Sequence, residues 1–277
     1  MTKFSFQLSA LVLSGLLSSS AWAQSYRILL SNDDGIESPL LAALHQELSS
    51  LPNVEVVVSA PNENQSGASH SSTGGPMTVE KLFRNGELFG YAVHGRPADA
   101  VRFGLLGLGA EDPFDLVISG INLGANVGDV SHLSGTVGSA MEGIYQGVPA
   151  IAISQDVQGV DTEASAKFAA QLVQRYQRDG APVGTLVSIN IPRGELKGVA
   201  VRPMGDSYLH YVGYDLLEEE NNRSVYQRLR EIEQSTDSST DTSAYQHGYI
   251  TITPIKLDWT DRALIGEIQS WDLQLIE

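Results

Sequence analysis

The adjacent carboxylates Asp33 and Asp34 stand where the apolar run Ile28-Leu29-Leu30 gives way to Ser31-Asn32-Asp33-Asp34-Gly35. Two like charges side by side repel, and a shared cation or contact with water relieves the repulsion. The pair also suits a solvated turn in which Asp34 or a neighbour caps the next helix. Two further polar, glycine-containing stretches follow apolar runs, Asn64 to Ser69 and Gly120 to Gly128. The three stretches offer the carboxylates of Asp33 and Asp34, the hydroxyls of Ser66 and Ser69, and the amides of Asn64, Asn122 and Asn126. Such an all-oxygen set is hard and selects Mg²⁺, Mn²⁺ or Ca²⁺ over zinc or copper. A fourth stretch, Ser134-Gly135-Thr136-Val137-Gly138, stands at a predicted helix start, where free N–H groups, hydroxyls and the helix dipole favour an anion. A simple cap would also explain Ser134. A divalent cation that polarises a phosphoryl oxygen, opposite an anion cradle, makes a phosphate-ester hydrolase.

For these stretches to meet, the elements before them must be neighbours in one sheet. Ile28 to Leu30 reads as a strand buried on both faces, and acidic residues at its carboxyl end lie where open α/β sheets place ligands. Pro39 to Leu51 carries Leu40, Leu41, Leu44 and Leu48 at helical spacing, and Val54 to Ala60 is a second buried strand, completing a right-handed βαβ unit. Further strands are predicted at Phe114 to Ser119, Val148 to Ser154 and Leu186 to Ile191, with helices from Pro97 to Leu108 and Thr162 to Arg178. Met77 to Lys81 and Leu88 to His94 predict a hairpin lying off the main sheet. Beyond Arg193 the pattern turns to short strands, Val199 to Arg202, Tyr208 to Tyr214 and Tyr249 to Ile255, and the polar run Glu218 to Asp241 reads as a flexible loop. The fold class is α/β, a doubly wound, mostly parallel sheet with a C-terminal β-rich extension. The chain divides into 1–23, a core over 24–192 and an extension over 193–277 that serves oligomerisation.

With 277 residues the chain builds a core without staples, and the absence of cysteine removes disulfides, thiolate metal sites and cysteine nucleophiles. A net charge of −16 argues against a nucleic-acid duplex or an anionic membrane surface as partner. Lys3, the apolar run Leu8 to Leu17 and the small-x-small site Ala21-Trp22-Ala23 predict a cleaved signal peptide over 1–23, with the mature protein exported to the periplasm or secreted. The run is short for a membrane span.

Asn32-Asp33-Asp34-Gly35, Ser66-Gly67, Gly120-Ile121-Asn122-Leu123-Gly124-Ala125-Asn126, Ser134-Gly135-Thr136-Val137-Gly138 with Met141-Glu142-Gly143, and Gly248 to Pro254 resemble, in order, the motifs of the SurE family of metal-dependent 5′-nucleotidases. The resemblance spans roughly Arg27 to Ile255. It implies a Rossmann-like, three-layer domain with a swapped C-terminal hairpin, a homodimer or homotetramer, and hydrolysis of nucleoside 5′-monophosphates or another small phosphate ester with Mg²⁺ or Mn²⁺. Ca²⁺ can take the same place in a crystal. By that likeness the metal ligands are Asp33, Asp34, Ser66 and Asn122, and the catalytic residues are Asp33, Asp34 and Asn126. The substrate phosphate is met by Asn32, Gly67, Asn126, Ser134, Gly135 and Thr136. The chain departs from the family pattern at Leu40, Arg96, Ala100 and Leu133, and of these Arg96 and Leu133 are expected near the site, where they bear on substrate range.

Other chemistries lack their motifs. The glycines from Gly120 to Gly128 do not form G-x-G-x-x-G, no G-x-S-x-G is present, and the acidic pair is not spaced as D-x-D. His70, His94 and His132 fall in or beside the candidate loops as candidate proton-transfer groups. Two competing readings remain at the level of the sequence: an exported acid phosphatase of broad specificity, and a non-catalytic nucleotide- or metal-binding protein.

Overall fold

In the computed structural model, which describes residues 25–275, the first strand, β1 (Tyr26–Ser31), carries three fully buried side chains in succession, Ile28, Leu29 and Leu30. Successive strand residues face opposite sides. Ile28 and Leu30 accordingly join one apolar cluster and Leu29 the other, each burial contributing about 2 kcal/mol. The chain continues through α1 (Pro39–Ser49), β2 (Val54–Pro61), β3 (Val79–Arg84), β4 (Glu87–Val93), α2 (Pro97–Phe103), β5 (Leu116–Leu123), α3 (Gly135–Tyr145), β6 (Ala150–Gln155), α4 (Thr162–Asp179) and β7 (Leu186–Ile191). It ends with β8 (Val199–Val201), β9 (Leu209–Glu220), β10 (Arg223–Ile232), α5 (Asp241–Gln246), β11 (Ile250–Ile255) and α6 (Ile265–Gln269). The proposed signal peptide lies outside the described residues. Among the described residues, no helix is long and apolar enough to cross a membrane.

Nine strands form one sheet in the order β3-β4-β2-β1-β5-β6-β7-β11-β8, and β9 with β10 forms a separate antiparallel hairpin. From β4 to β7 every neighbouring pair is parallel. Leu41, Leu44 and Leu48 of α1 and Ala166, Ala169 and Val173 of α4 cover one face; Val101 of α2 and Val137, Ala140 and Met141 of α3 cover the other. The result is the three-layer, mostly parallel α/β fold that the apolar runs predict. Pro39 opens α1 at its first turn, where the missing N–H costs nothing, and Asp161 caps α4 by accepting from the N–H groups of Glu163 and Ala164.

The structure corrects three local expectations. The hairpin of β3 and β4 is not set off from the main sheet but extends it, because β4 pairs in parallel with β2 from Val58↔Gly90 to Pro61↔Val93. Gly90 permits the approach, since a Cβ there would lie 2.6 Å from the Val58 Cβ. The helix expected to reach Leu108 is α-helical to Phe103 and then widens into a π-turn over Gly104–Leu108, where Gly104 is pressed against the Leu29 side chain. The run Glu218 to Asp241, read as a loop, holds the end of β9 and the return strand β10, paired around Asn221 in a positive-φ conformation that asparagine tolerates. Both faces of that hairpin meet water, so no apolar alternation marks it. Strands β8 and β11, from beyond residue 193, complete the main sheet, β11 lying antiparallel to β7.

Candidate active site

Parallel pairing brings the carboxyl ends of β1, β2 and β5 to one edge of the sheet, and the loops that follow them meet the N-terminus of α3 there. Between them lies a cleft of about 240 Å³ whose lining includes Asp33, Ser66, Gly67, Asn122, Asn126 and Ser134. Asp33 is 3 % exposed and receives a 2.5 Å hydrogen bond from the Thr136 hydroxyl, which fixes its carboxylate against the start of α3. Gly135 makes that approach possible: a Cβ at this position would fall 2.7 Å from the Asp33 Cβ and 2.9 Å from its Oδ2. Burial pushes the Asp33 carboxyl up to about 6; the Thr136 hydroxyl opposes the rise and the charge of Asp34 adds to it. Asp34 is also raised, chiefly by burial, against the N–H of Leu123, which donates to its Oδ2 at 3.1 Å. Asn64 donates to the other Asp34 oxygen at 3.2 Å.

The neutral donors are held from behind. Asn122 gives its amide N–H to the Gly124 carbonyl at 2.6 Å, which leaves the amide oxygen as the end able to serve as a ligand atom. Ser66 is placed by the turn of its loop, its N–H donating to Asn64 Oδ1 at 3.0 Å. Asn32 donates to the Gly35 carbonyl at 2.9 Å, and its own buried Oδ1 has no partner. Asn126 is locked by two buried neighbours: its amide donates to the Ser154 hydroxyl at 2.8 Å and its backbone N–H to Asn190 Oδ1 at 2.7 Å. Ser134 caps α3, accepting from the Val137 N–H at 3.1 Å, so the cap and the cradle are one group.

Every expected site residue therefore belongs to one neighbourhood, with Asn32, Asp34, Gly135 and Thr136 backing the lining. Of the two departures expected near the site, Leu133 lines the cleft. Arg96 instead donates to Gln65 Oε1 at 2.6 Å and lines a neighbouring hollow with Asn62, Glu63 and His94. None of the three histidines is among the residues lining the cleft. His70 bonds Glu142 Oε2 at 2.7 Å, His94 faces Glu80, and the His132 ring meets that of Trp259 edge-on. Four lining residues escaped the sequence reading: Val130, and Ser207, Leu209 and Tyr211, which bring the base of the C-terminal hairpin against the cleft. Their types carry no site signature. Ser154 and Asn190, by contrast, are polar residues near the carboxyl ends of fully buried strands, a signal that their side chains serve something at the edge.

The geometry combines a buried carboxylate beside a half-buried one, hard oxygen donors and an anion-favouring helix start. The family model described as survival protein SurE matches residues 28–210. A 5′-nucleotidase SurE of Chlorobium phaeobacteroides is 35 % identical over 252 residues, 89 % of this chain and 96 % of that protein. Those of Chlorobaculum tepidum and Rhodopirellula baltica are each 36 % identical over 256 residues, covering 91 % and 90 % of this chain and 96 % and 99 % of their own lengths. The crystal structure of the SurE protein from Aquifex aeolicus superposes with a TM-score of 0.75 at 34 % identity, covering 89 % of this chain and all of that one.

Proposed function

The chain belongs to the SurE family, and on that premise we propose that it is a phosphomonoester hydrolase acting on nucleoside 5′-monophosphates with a bound Mg²⁺ or Mn²⁺. One observation carries the reading: a carboxylate buried beside another, with no basic side chain among the residues lining their cleft, whose other polar side chains are hydroxyls and amides. Burying two acids without a counter-ion is unfavourable, and a divalent cation removes the penalty. The unpartnered Asn32 Oδ1 is a further sign that the edge is built for a polar ligand.

The residues fit the ion. Asp33, Asp34, Ser66 and Asn122 would hold it, and when bound it supplies charge for a phosphoryl oxygen and acidifies a water. The protein does the remainder. Thr136 holds the Asp33 carboxylate in one orientation, and Gly135 keeps the α3 N–H groups within reach of an anion lying over that carboxylate. Asn126, held by Ser154 and Asn190, keeps its place at the wall without a mobile rotamer, the kind of pre-set polar group that stabilises developing charge.

The test is hydrolysis by the purified mature chain of a nucleotide panel and of generic phosphate esters, with and without chelator. Chelator-sensitive release of phosphate from nucleoside 5′-monophosphates is the expected result. Equal kcat/KM on every ester marks instead a phosphatase of broad specificity, and binding without turnover marks a non-catalytic protein. The reading also includes export after residue 23 and a homo-oligomer held by the β9–β10 arm, which exposes Tyr211, Val212, Tyr214, Leu216, Leu217 and Tyr226.

A further inference from the structure

Beside the cleft, and sharing Gly124, Ala125 and Leu209 with it, lies a second hollow of about 390 Å³. Its floor comes from the same sheet edge. Asp156 directly follows β6 and Arg193 follows β7 by one intervening residue, Pro192. Strands lie about 4.8 Å apart, so the ends of β5 and β7 are separated by about 10 Å, roughly the reach of a nucleoside beyond its 5′-phosphate. Tyr208 and Tyr245 line the hollow with ring centroids 6.0 Å apart, and Tyr245, 7 % exposed, donates its hydroxyl to Asp156 Oδ2 at 3.1 Å. Burial first, and then the Asp156 charge, hold both phenols protonated. Tyr245 thus spends its one proton on orienting a carboxylate that nothing in the hydrolytic machinery uses.

We propose that this hollow receives the nucleoside of the substrate, with the Asp156 carboxylate accepting hydrogen bonds from the ribose hydroxyls and the Arg193 guanidinium offering a planar face to the base at the rim. This rests on the nucleotidase reading. The chemistry discriminates between the two ends of the ligand. A fixed carboxylate accepts from a vicinal diol, as acidic residues at strand ends do for ribose, and repels a phosphate. The phosphate is therefore kept at the Asp33 end, where the cation neutralises it, and the neutral nucleoside occupies the Asp156 end. Phosphate esters without ribose forgo these contacts, so the hollow converts a general phosphate site into one selective for nucleotides.

The experiment is calorimetric binding of adenosine to the full mature chain in Mg²⁺, for wild type, Asp156→Asn and Val157→Trp, alongside hydrolysis of p-nitrophenyl phosphate. The amide oxygen introduced by Asp156→Asn still accepts from the Tyr245 hydroxyl, and Val157 is 57 % exposed, so both variants fold. Adenosine is expected to bind wild type, to bind each variant about tenfold more weakly, and to bind better than 2′,3′-dideoxyadenosine by a similar factor. Undetectable adenosine binding to wild type, or unchanged affinity in either variant or for the dideoxy compound, overturns the proposal. If wild type leaves both nucleotide and p-nitrophenyl esters intact while the adenosine pattern holds, the phosphatase reading fails and the nucleoside pocket stands.

Discussion

Gly138 of α3 faces the main-chain carbonyl of Ser69, so closely that a Cβ at position 138 would lie 2.1 Å from that oxygen. The contact locks the loop that carries Ser66 and Gly67 onto the helix that carries Ser134 and Thr136. The loop and the helix are thus registered through a backbone approach, beside the bonds from Ser69 Oγ to the His132 carbonyl and between His70 and Glu142.

Replacing Gly138 by alanine is expected to cost about 1–3 kcal/mol through overpacking and to lower Tm by several degrees. Activity should fall further than stability at temperatures where the variant is folded, because Ser66 moves with its loop. Gly74→Ala, where nothing lies within 4 Å, is the control and should melt as wild type does. Equal melting of the two variants would dispose of the registration argument.

Asp33→Asn keeps the shape of the side chain and removes a charge from the acidic pair. At limiting Mg²⁺ or Mn²⁺, hydrolysis is expected to drop by about 10²-fold or more, with the metal titration shifted to higher concentration. Activity within a few-fold of wild type under those conditions contradicts the assignment.

Acid stability depends on a cluster away from the cleft. Burial acts to raise Glu142, but hydrogen bonds from His70, Gln146 and Arg102 outweigh it and hold the carboxyl below its ordinary range. Asp99 is likewise held low, burial being outweighed by bonds from Thr73, Arg96 and Ser72. A lowered folded-state value stabilises above the unfolded pKa, and that stability is lost as pH falls through the folded one. Wild type should therefore lose stability below about pH 4. Glu142→Gln should be about 3 kcal/mol less stable at neutral pH and show a flatter acid limb in denaturant titrations. Parallel curves for the two proteins would remove Glu142 from the account.

Excising the exposed arm, residues 212–228, and closing the ends with a short glycine turn should leave a folded monomer by light scattering. Tyr211 and Leu209 are kept because they line the cleft. Truncation before Val199 is a poorer test, since it strips β8 and β11 from the main sheet. An arm-less protein that remains oligomeric would place the assembly on another surface.

Export predicts a mature N-terminus at Gln24, to be read by N-terminal sequencing of the fractionated protein. A cytoplasmic protein beginning at Met1 would refute it.

Much of the sheet was legible because its signals are local. β7 falls on the six residues Leu186 to Ile191 that their apolar run marks, and α4 runs only one residue past its expected end. The acidic pair, the Asn122 loop and the Ser134 cap were legible because they follow strands whose ends must coincide. What escaped depends on pairing between distant segments. Nothing in Leu88-Phe89-Gly90 says that β2 is its neighbour, and nothing in Ser207 or Tyr211 announces a cleft formed by residues far upstream. The return strand β10 escaped for a different reason: hydrophobic periodicity reports burial against the rest of the chain, and this strand has little to report, whereas the start of β9 was legible in Tyr208 to Tyr214.

The placement of β11 between β7 and β8 sets an order of events in time. A chain emerging N-terminus first presents Asp33, Ser66, Asn122 and Ser134 early, yet the side of the cleft built by Ser207, Leu209 and Tyr211, and the hollow closed by Tyr245, come from its last third. Such late, non-local strand docking is the slow part of folding. Nascent chains therefore carry the acidic pair without a finished place for substrate, and the cleft is complete only once Tyr245 and β11 have been made.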